Sequence, residues 1–209
     1  TTMKKFGFIW FVGIFIILNQ NTYGQYNFVG LKGGIGFTKE INNLYKVYSK
    51  PGFLISGNYT HNLNDKISAR IEGGFTQKGF RSKVHFPGPG INDDEVYQTT
   101  YNYISVGPDI IIAFPKPKKT VYLLSGIRTD YLINYTTEDD NYKQVMEDFR
   151  HLQLLLNAGA GLIFPSGIFL EINGSIDFLN KIKTTERTNS GPRIYDIYFG
   201  LSVGYELGL

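Results

Sequence analysis

The segment YDIYFGLSVGYEL, at residues 195–207, alternates without interruption between apolar side chains and polar or small ones. Its odd-numbered positions are Tyr195, Ile197, Phe199, Leu201, Val203, Tyr205 and Leu207. Its even-numbered positions are Asp196, Tyr198, Gly200, Ser202, Gly204 and Glu206. Because successive side chains of a β-strand point to opposite faces, this period of two predicts a strand with one apolar face.

The same alternation recurs along the chain, clearly at 151–164 and 168–179. Weaker forms of it lie at about 27–37, 52–62, 66–78, 100–114 and 120–133. The sequence therefore predicts eight strands of about 10 to 14 residues each. A helix remains an alternative only at 138–150, where the spacing of apolar residues is ambiguous.

The predicted connections alternate between short and long. Turn-forming residues occur in short links at 62–65, 115–119 and 165–167. Longer links fall at 38–51, 79–99, 134–150 and 180–193. An even number of strands with short turns at one end and long loops at the other is typical of an outer-membrane barrel. We therefore expect an all-β, eight-stranded antiparallel up-and-down transmembrane β-barrel with both termini on the periplasmic side.

The N-terminal segment resembles an export signal. Lys4 and Lys5 precede an apolar run at 6–18, and small residues at 22 and 24 fit cleavage before Gln25. That run is shorter than the roughly 20 residues of a membrane-spanning helix. We therefore expect a signal peptide at 1–24 and an outer-membrane β-barrel domain at 25–209, located in the cell outer membrane.

The composition excludes several classes of function. The chain of 209 residues has no cysteine, which rules out a disulfide scaffold, a thiolate metal site and a cysteine nucleophile. Its formal net charge is +3, and Lys4 and Lys5 supply two of those charges within the expected signal peptide. The remaining protein is almost neutral, so nucleic-acid binding has no electrostatic support.

Glycine placement indicates which face of the barrel meets lipid. The polar face carries most strand glycines: Gly30, Gly34, Gly36, Gly74, Gly107, Gly126, Gly159, Gly161, Gly200 and Gly204. The apolar face carries only Gly33, Gly57, Gly73 and Gly174. Since the interior of an eight-stranded barrel is crowded, small residues fit there, and we expect the polar face inside. The alternative is a secreted soluble barrel with its apolar face inside.

Aromatic residues near both ends of the predicted outward face support the lipid-facing orientation. Those near the outer rim are Phe53, Phe75, Tyr131, Phe178 and Tyr195, and those near the periplasmic rim are Tyr59, Phe114, Phe164 and Tyr205. Aromatic rings prefer the membrane interface, so two such girdles match a transmembrane barrel.

The predicted interior contains many charged residues. They are Lys32, Arg70, Glu72, Asp109, Arg128, Asp130, Glu171 and Asp177, together with Asp196 and Glu206. Buried charges must be paired or wet, so we expect a lumen charge network, with Arg70 paired to Asp109 and Arg128 reaching Glu72 or Asp130. The network would plug the lumen, and a conducting pathway is the alternative.

Three of these carboxylates are expected near the outer mouth. Asp130, Asp177 and Asp196 lie below the acidic stretch 138–140, where a solvated acidic rim is the simpler interpretation. A calcium site is the alternative, although no spaced loop motif supports one.

No catalytic motif is present. The histidines are His61, His85 and His151, and none has a serine and an acid at a spacing that fixes a triad. A nucleophile elbow, a phosphate loop and a metalloprotease motif are all missing from the sequence. We therefore predict a non-enzymatic protein without catalytic residues, cofactor or metal.

Three tracts resemble a known family. They are VGLKGGIGF at 29–37, YISVGP at 103–108 and GLSVGYEL at 200–207. Together they are similar to the PorT-like outer-membrane β-barrel proteins. This resemblance implies an integral outer-membrane barrel. Because PorT is associated with a secretion system, it also leaves open a role as an accessory component of protein secretion.

We expect a barrel with a plugged polar lumen whose extracellular loops contact other molecules. The predicted link 79–99 combines aromatic and charged residues, which suits partner contact, although an exposed loop without a partner fits equally well. The expected partners are outer-membrane lipid and an extracellular or secretion-system protein, with no nucleic acid, for a monomeric barrel. A small porin-like transport channel and a secretion accessory are the alternatives.

Overall fold

The computed structural model describes residues 27–41, 46–85, 94–116, 119–138, 143, 146, 149–181 and 195–209. The expected signal peptide at 1–24 lies outside these residues. The strands are β1 (Asn27–Ile41), β2 (Lys46–Asn62), β3 (Ile67–His85), β4 (Asp94–Lys116), β5 (Lys119–Thr137), β6 (Leu152–Ile163), β7 (Ile168–Asp177) and β8 (Tyr195–Gly208).

The strands form one closed barrel in sequence order. Each strand is antiparallel to its neighbours, and β8 returns to β1 in a continuous register from Phe28↔Gly208 to Ile41↔Tyr195. This arrangement confirms the predicted eight-stranded antiparallel barrel. In the described part of the chain, no helix is long and apolar enough to cross a bilayer.

The strands differ in length, and the extra length lies at one end of the barrel. β4 has 23 residues and β3 has 19, whereas β7 has 10. The predicted links at 38–51 and 79–99 are therefore mostly strand. Beyond the apolar band both faces of a strand carry polar residues, so the alternation that marks a half-apolar strand disappears while backbone pairing continues. We call the extended ends of β2 to β5 the outer wall.

The opposite end carries the short turns. Residues 63–66 and 164–167 connect successive strands there, and β4 and β5 pair as far as Lys116↔Lys119. Asn27 and Leu209 lie at the same end, joined by a 2.7 Å backbone hydrogen bond. Short turns mark the periplasmic side of an outer-membrane barrel, which places the outer wall outside the cell.

The apolar face of the barrel is outside. Leu31 and Ile55 are 71% and 60% exposed, whereas the inward-facing Lys32 is 4% exposed. A soluble barrel would show the opposite distribution, because its apolar side chains would fill the interior. The exposed band therefore confirms the predicted lipid-facing orientation.

Glycines distinguish the two faces as the sequence predicted. A Cβ added at inward Gly34 would lie 2.3 Å from the carbonyl oxygen of Leu201, and one at Gly107 would lie 2.3 Å from that of Ile127. At outward Gly33 and Gly174 the nearest atoms would be 3.8 Å and 3.6 Å away. The inward glycines are therefore sterically required, whereas the four glycines predicted on the outward face, Gly33, Gly57, Gly73 and Gly174, are not.

Candidate functional site: the charged lumen

The lower part of the lumen contains a charge cluster that crosses the barrel. Lys32 on β1 lies 2.6 Å from Glu72 on β3 and 2.5 Å from Glu171 on β7. Arg70 on β3 lies 2.9 Å from Glu171 and 3.5 Å from Asp109 on β4. Tyr122 donates a 2.8 Å hydrogen bond to Glu171. These contacts join strands on opposite sides of the barrel, so the cluster acts as a cross-brace.

Glu171 is the centre of this lower cluster. Its carboxylate accepts from Lys32, Arg70 and Tyr122, and its side chain is fully buried. A buried carboxylate is costly unless its lone pairs are filled, and here donors occupy both oxygens. Removal of any one donor would therefore leave a buried charge with fewer partners.

A second cluster lies above the first. Asp130 on β5 binds Lys78 of β3 at 2.7 Å and Nε of Arg128, on its own strand, at 3.0 Å. The Lys78 ammonium lies 5.2 Å from the ring centroid of Tyr103, and the Arg128 guanidinium lies 5.4 Å from that of Tyr198. Aromatic faces stabilise these cations on the sides that carboxylates do not cover.

A third cluster lies at the outer end of the lumen. Lys181, just after β7, lies 2.5 Å from Asp196 and 3.9 Å from Glu40. Burial acts against its charge, but the carboxylates of Asp196 and Glu40 raise the pKa of Lys181 above its usual value. Lys181 therefore stays charged although it is fully buried.

Aromatic residues pack around Lys181 to form what we call the outer plug. Its buried members are Phe80, Tyr101, Tyr103, Leu132, Met146 and Phe149. The Tyr101 and Phe149 rings stack with centroids 5.5 Å apart, and Lys181 lies 4.9 Å from the Tyr101 centroid. Phe149, three residues before β6, therefore lies inside the barrel at its outer end.

The periplasmic end is open by comparison. A cavity of about 470 Å³ extends inward from the short turns to Arg70, Tyr122 and Glu206. Between the lower and middle clusters lies a cavity of about 20 Å³, next to Glu72, Asp109 and Asn157. That space suits a single water molecule.

The structure places every residue of the expected lumen network inside the barrel. Arg70 and Asp109 are register partners, and Arg128 contacts Asp130. The expectation of pairs was too simple, however, because Arg70 lies closer to Glu171 on the far side of the barrel than to Asp109. Contacts across a lumen depend on closure, and the pairing of neighbouring strands does not reveal them.

Three buried charges were missing from the sequence prediction: Glu40, Lys78 and Lys181. Glu40 and Lys181 fall in segments taken as loops, and Lys78 stands at the end of a predicted strand. The sequence does contain a sign of their direction: even-numbered residues of β1 and β3 point into the barrel, and Glu40 and Lys78 continue that series. Counting every second residue beyond the end of the apolar alternation would therefore have assigned both side chains to the lumen.

The expected solvated acidic rim is wrong. Asp130, Asp177 and Asp196 are 0%, 3% and 1% exposed. Lys78 pairs with Asp130 and Lys181 pairs with Asp196, whereas Asp177 accepts a hydrogen bond from the backbone N–H of Asp196. The outer wall and the plug enclose them, which a sequence reading with shorter strands could not anticipate. Within the described residues, no group of three or more metal-ligating side chains is placed to hold a metal ion.

Two of the three histidines and the described start of the 79–99 segment have surroundings unlike those of a catalytic site or a binding loop. His61 Nδ1 lies 2.7 Å from Asn27 Oδ1, and the exposed His151 ring lies 6.2 Å from that of Tyr131. Phe80, expected in an exposed loop, is 1% exposed within the plug. The tip at 86–93 lies outside the described residues.

The closed barrel, its apolar outer belt and its charged lumen define an integral outer-membrane β-barrel protein. A family model described as "Outer membrane protein beta-barrel domain" matches residues 19–183. The chain belongs to this family, and it is located in the outer membrane. No curated protein shows significant sequence similarity to it.

Solved structures share the fold at low sequence identity. OprG from Pseudomonas aeruginosa is 11% identical with a TM-score of 0.51, and the alignment covers 87% of this chain and 96% of that one. Ail, the attachment invasion locus protein of Yersinia pestis, is 12% identical with a TM-score of 0.48, covering 87% and 99%. The outer-membrane enzyme PagL is 9% identical with a TM-score of 0.43, covering 82% and 98%. These likenesses concern the fold alone.

Proposed function

We propose that this protein is a non-enzymatic outer-membrane barrel with a sealed lumen, whose outer wall contacts a protein partner. The observation that carries the proposal is the outer plug, in which Phe149 and Lys181 occupy the barrel mouth above two charge clusters. A lumen closed at the mouth and filled at its centre serves as a brace for a rigid wall.

The outer wall supplies the contact surface. Beyond the aromatic girdle it exposes the apolar residues Tyr48 and Val96, which are 43% and 53% exposed. Apolar side chains outside the lipid belt gain nothing from the membrane, and such patches mark interaction sites. The wall is a regular paired sheet, so it presents these residues without the entropy cost of ordering a loop.

Planar bilayer recording tests the sealed lumen. Refolded protein, with insertion verified by heat-modifiable migration, should give no reproducible conductance. Regular single-channel steps from the unmodified protein would overturn the sealed barrel. The double variant Phe149→Ala with Lys181→Met serves as a comparison, because it removes the mouth residues and leaves the lower cluster in place.

A small cation channel is the second candidate function. The periplasmic cavity reaches Glu206, and carboxylates outnumber cationic side chains among the described lumen residues. If the outer plug is the only barrier, the double variant should conduct and favour cations over anions. If the variant stays silent, the Lys32–Glu171–Arg70 brace also blocks the path, and the sealed barrel is supported further.

A secretion accessory role rests on the resemblance to PorT-like proteins and on the exposed outer wall. A photo-crosslinking residue at Val96 should capture a protein in cells, whereas the same residue at lipid-facing Ile110, 50% exposed, should not. A deletion strain assayed for secreted cargo then distinguishes a secretion partner from another surface partner. Unchanged cargo secretion would exclude the accessory role without affecting the barrel.

A further inference from the structure

A row of amide side chains marks where the lipid-facing belt ends on the outer wall. Phe75 pairs with Ile104 in the belt, and two residues further out Gln77 pairs with Asn102. Gln77 Nε2 donates to Asn102 Oδ1 at 3.2 Å, and Asn102 Nδ2 donates to Asn134 Oδ1 at 2.5 Å. Each two-residue step advances about 7 Å along a strand, so the surface beyond this row lies at the height of lipid headgroups.

Directly above the amide row, a β-bulge presents a lysine. The register between β2 and β3 shifts between Ser49 and Leu54, which gives β2 an extra residue. The Lys50 side chain runs past Gly79 and its ammonium group donates to the hydroxyl of Thr100. A Cβ at Gly79 would lie 2.3 Å from the Thr99 carbonyl oxygen and 3.1 Å from Lys50 Cδ, so the glycine lets both β4 and the Lys50 side chain approach. Bulges commonly re-aim a side chain, and this one fixes Lys50 across the face of two strands.

Arg81 adds a second cation on the same outward face. It alternates with the inward Phe80 and Ser82, is exposed, and faces Tyr48 across the β2–β3 ladder. Partial burial of Lys50 and the charge of Arg81 both act against the Lys50 ammonium, and the Glu138 carboxylate offsets them in part. Within the described residues, Arg81 makes no ion pair. Two cations that repel each other are thus oriented at one site with incomplete compensation.

We propose that Lys50 and Arg81, with the Thr100 hydroxyl, bind the phosphate group of a phosphorylated lipid of the outer leaflet. An anion between the two side chains would relieve their repulsion, and charge-assisted hydrogen bonds to phosphate are among the stronger polar contacts. A lipid source fits the position of the site, because its acyl chains would lie on the apolar belt just below the amide row. The site orients the barrel in the asymmetric membrane and fixes its depth.

Native mass spectrometry of the full-length protein tests this inference. The probes are a diglucosamine lipid that carries phosphate monoesters, the same lipid after enzymatic dephosphorylation, and inorganic phosphate. The wild type should bind the phosphorylated lipid at least about tenfold more tightly than the dephosphorylated one. Lys50→Gln with Arg81→Gln should lose this preference, because the two amides keep hydrogen-bonding capacity but not charge.

The matched control is Lys66→Gln with Lys119→Gln, which removes two cations from the periplasmic end. This variant should keep the wild-type preference. Equal binding of both lipids by the wild type, or an unchanged preference in the Lys50/Arg81 variant, would overturn the proposal. Full competition by inorganic phosphate at the same concentration as the lipid would also overturn it, because the site would then recognise a free anion. Heat-modifiable migration verifies that each variant is folded.

Discussion

At positions 33 and 34 two consecutive glycines face opposite sides of the barrel wall, and they should respond oppositely to a methyl group. Gly34→Ala would force a Cβ to within 2.3 Å of the Leu201 carbonyl oxygen, so it should lower the free energy of unfolding by about 1–3 kcal/mol. Gly33→Ala meets no atom closer than 3.8 Å and should raise it by about 0.5–1 kcal/mol. Urea titration of the folded fraction in lipid vesicles measures both, and equal effects would contradict the inward assignment of Gly34.

Arg70 should be among the most sensitive lumen residues. Arg70→Met keeps much of the side-chain volume but leaves Glu171 and Asp109 without a guanidinium partner, so it should cost about 3–5 kcal/mol in the same titration. Exchange of Arg70 and Asp109 should not restore stability, because the new aspartate would face Glu171. Lys66→Met, in an exposed turn, is the control and should change stability by less than about 0.5 kcal/mol.

A double-mutant cycle identifies the partner of Arg70. Arg70→Met with Glu171→Gln should cost at least about 1 kcal/mol less than the sum of the single variants, because the two groups share a 2.9 Å contact. Strictly additive effects would mean that the cross-barrel contact is not formed in the membrane.

The direction of each strand side chain could be predicted from the sequence, but its contacts could not. The alternation of side chains between the two faces of a strand was enough to assign Lys32, Glu72 and Glu171 to the lumen, because this alternation is a local property of the backbone. The contacts among these three residues depend on closure of the barrel and on the tilt of strands that are not adjacent. The alternation in the sequence carries no information about either. Phe149 carried no signal at all, since it lies in an irregular connection.

Among the elements, the β3–β4 hairpin gives a direct test of the outer wall. His85 and Asp94 are register partners, so a two-residue Asn-Gly turn can replace residues 86–93. Because pairing is continuous from Ile67↔Ile112 to this point, the shortened protein should keep its unfolding free energy within about 0.5 kcal/mol. Urea titration beside the wild type measures it, and a larger loss would show that 86–93 supports the wall.

Strand existence was predictable and strand length was not. Alternation ended near Lys78 in β3, yet the strand continues to His85. An apolar face is imposed by lipid only within the bilayer, whereas hydrogen bonding to β2 and β4 continues above it. The predicted short turns were accurate within a few residues, because turn residues are a local signal.

For the whole molecule, closure between β1 and β8 should control resistance to detergent. Leu201 pairs with Ile35 on one side and Ile172 on the other, so Leu201→Pro would remove backbone hydrogen bonding at the seam. Unboiled wild type should run as a compact band in SDS gels, and the proline variant should run only as the unfolded form. Leu201→Val is the control, and a compact band from the proline variant would argue against a closed seam.

The seam also determines the order of folding events. Consecutive strands are separated by 17 residues of chain or fewer, but β1 and β8 meet only after the rest of the chain has been arranged between them. Loop-closure entropy makes such a distant contact slow, so hairpins form early and the seam forms last. Until then both terminal strands expose unsatisfied edges that can pair with another chain. The unclosed intermediate is therefore the aggregation-prone species, and an escort during transit would need to cover β1 and β8 above all other strands.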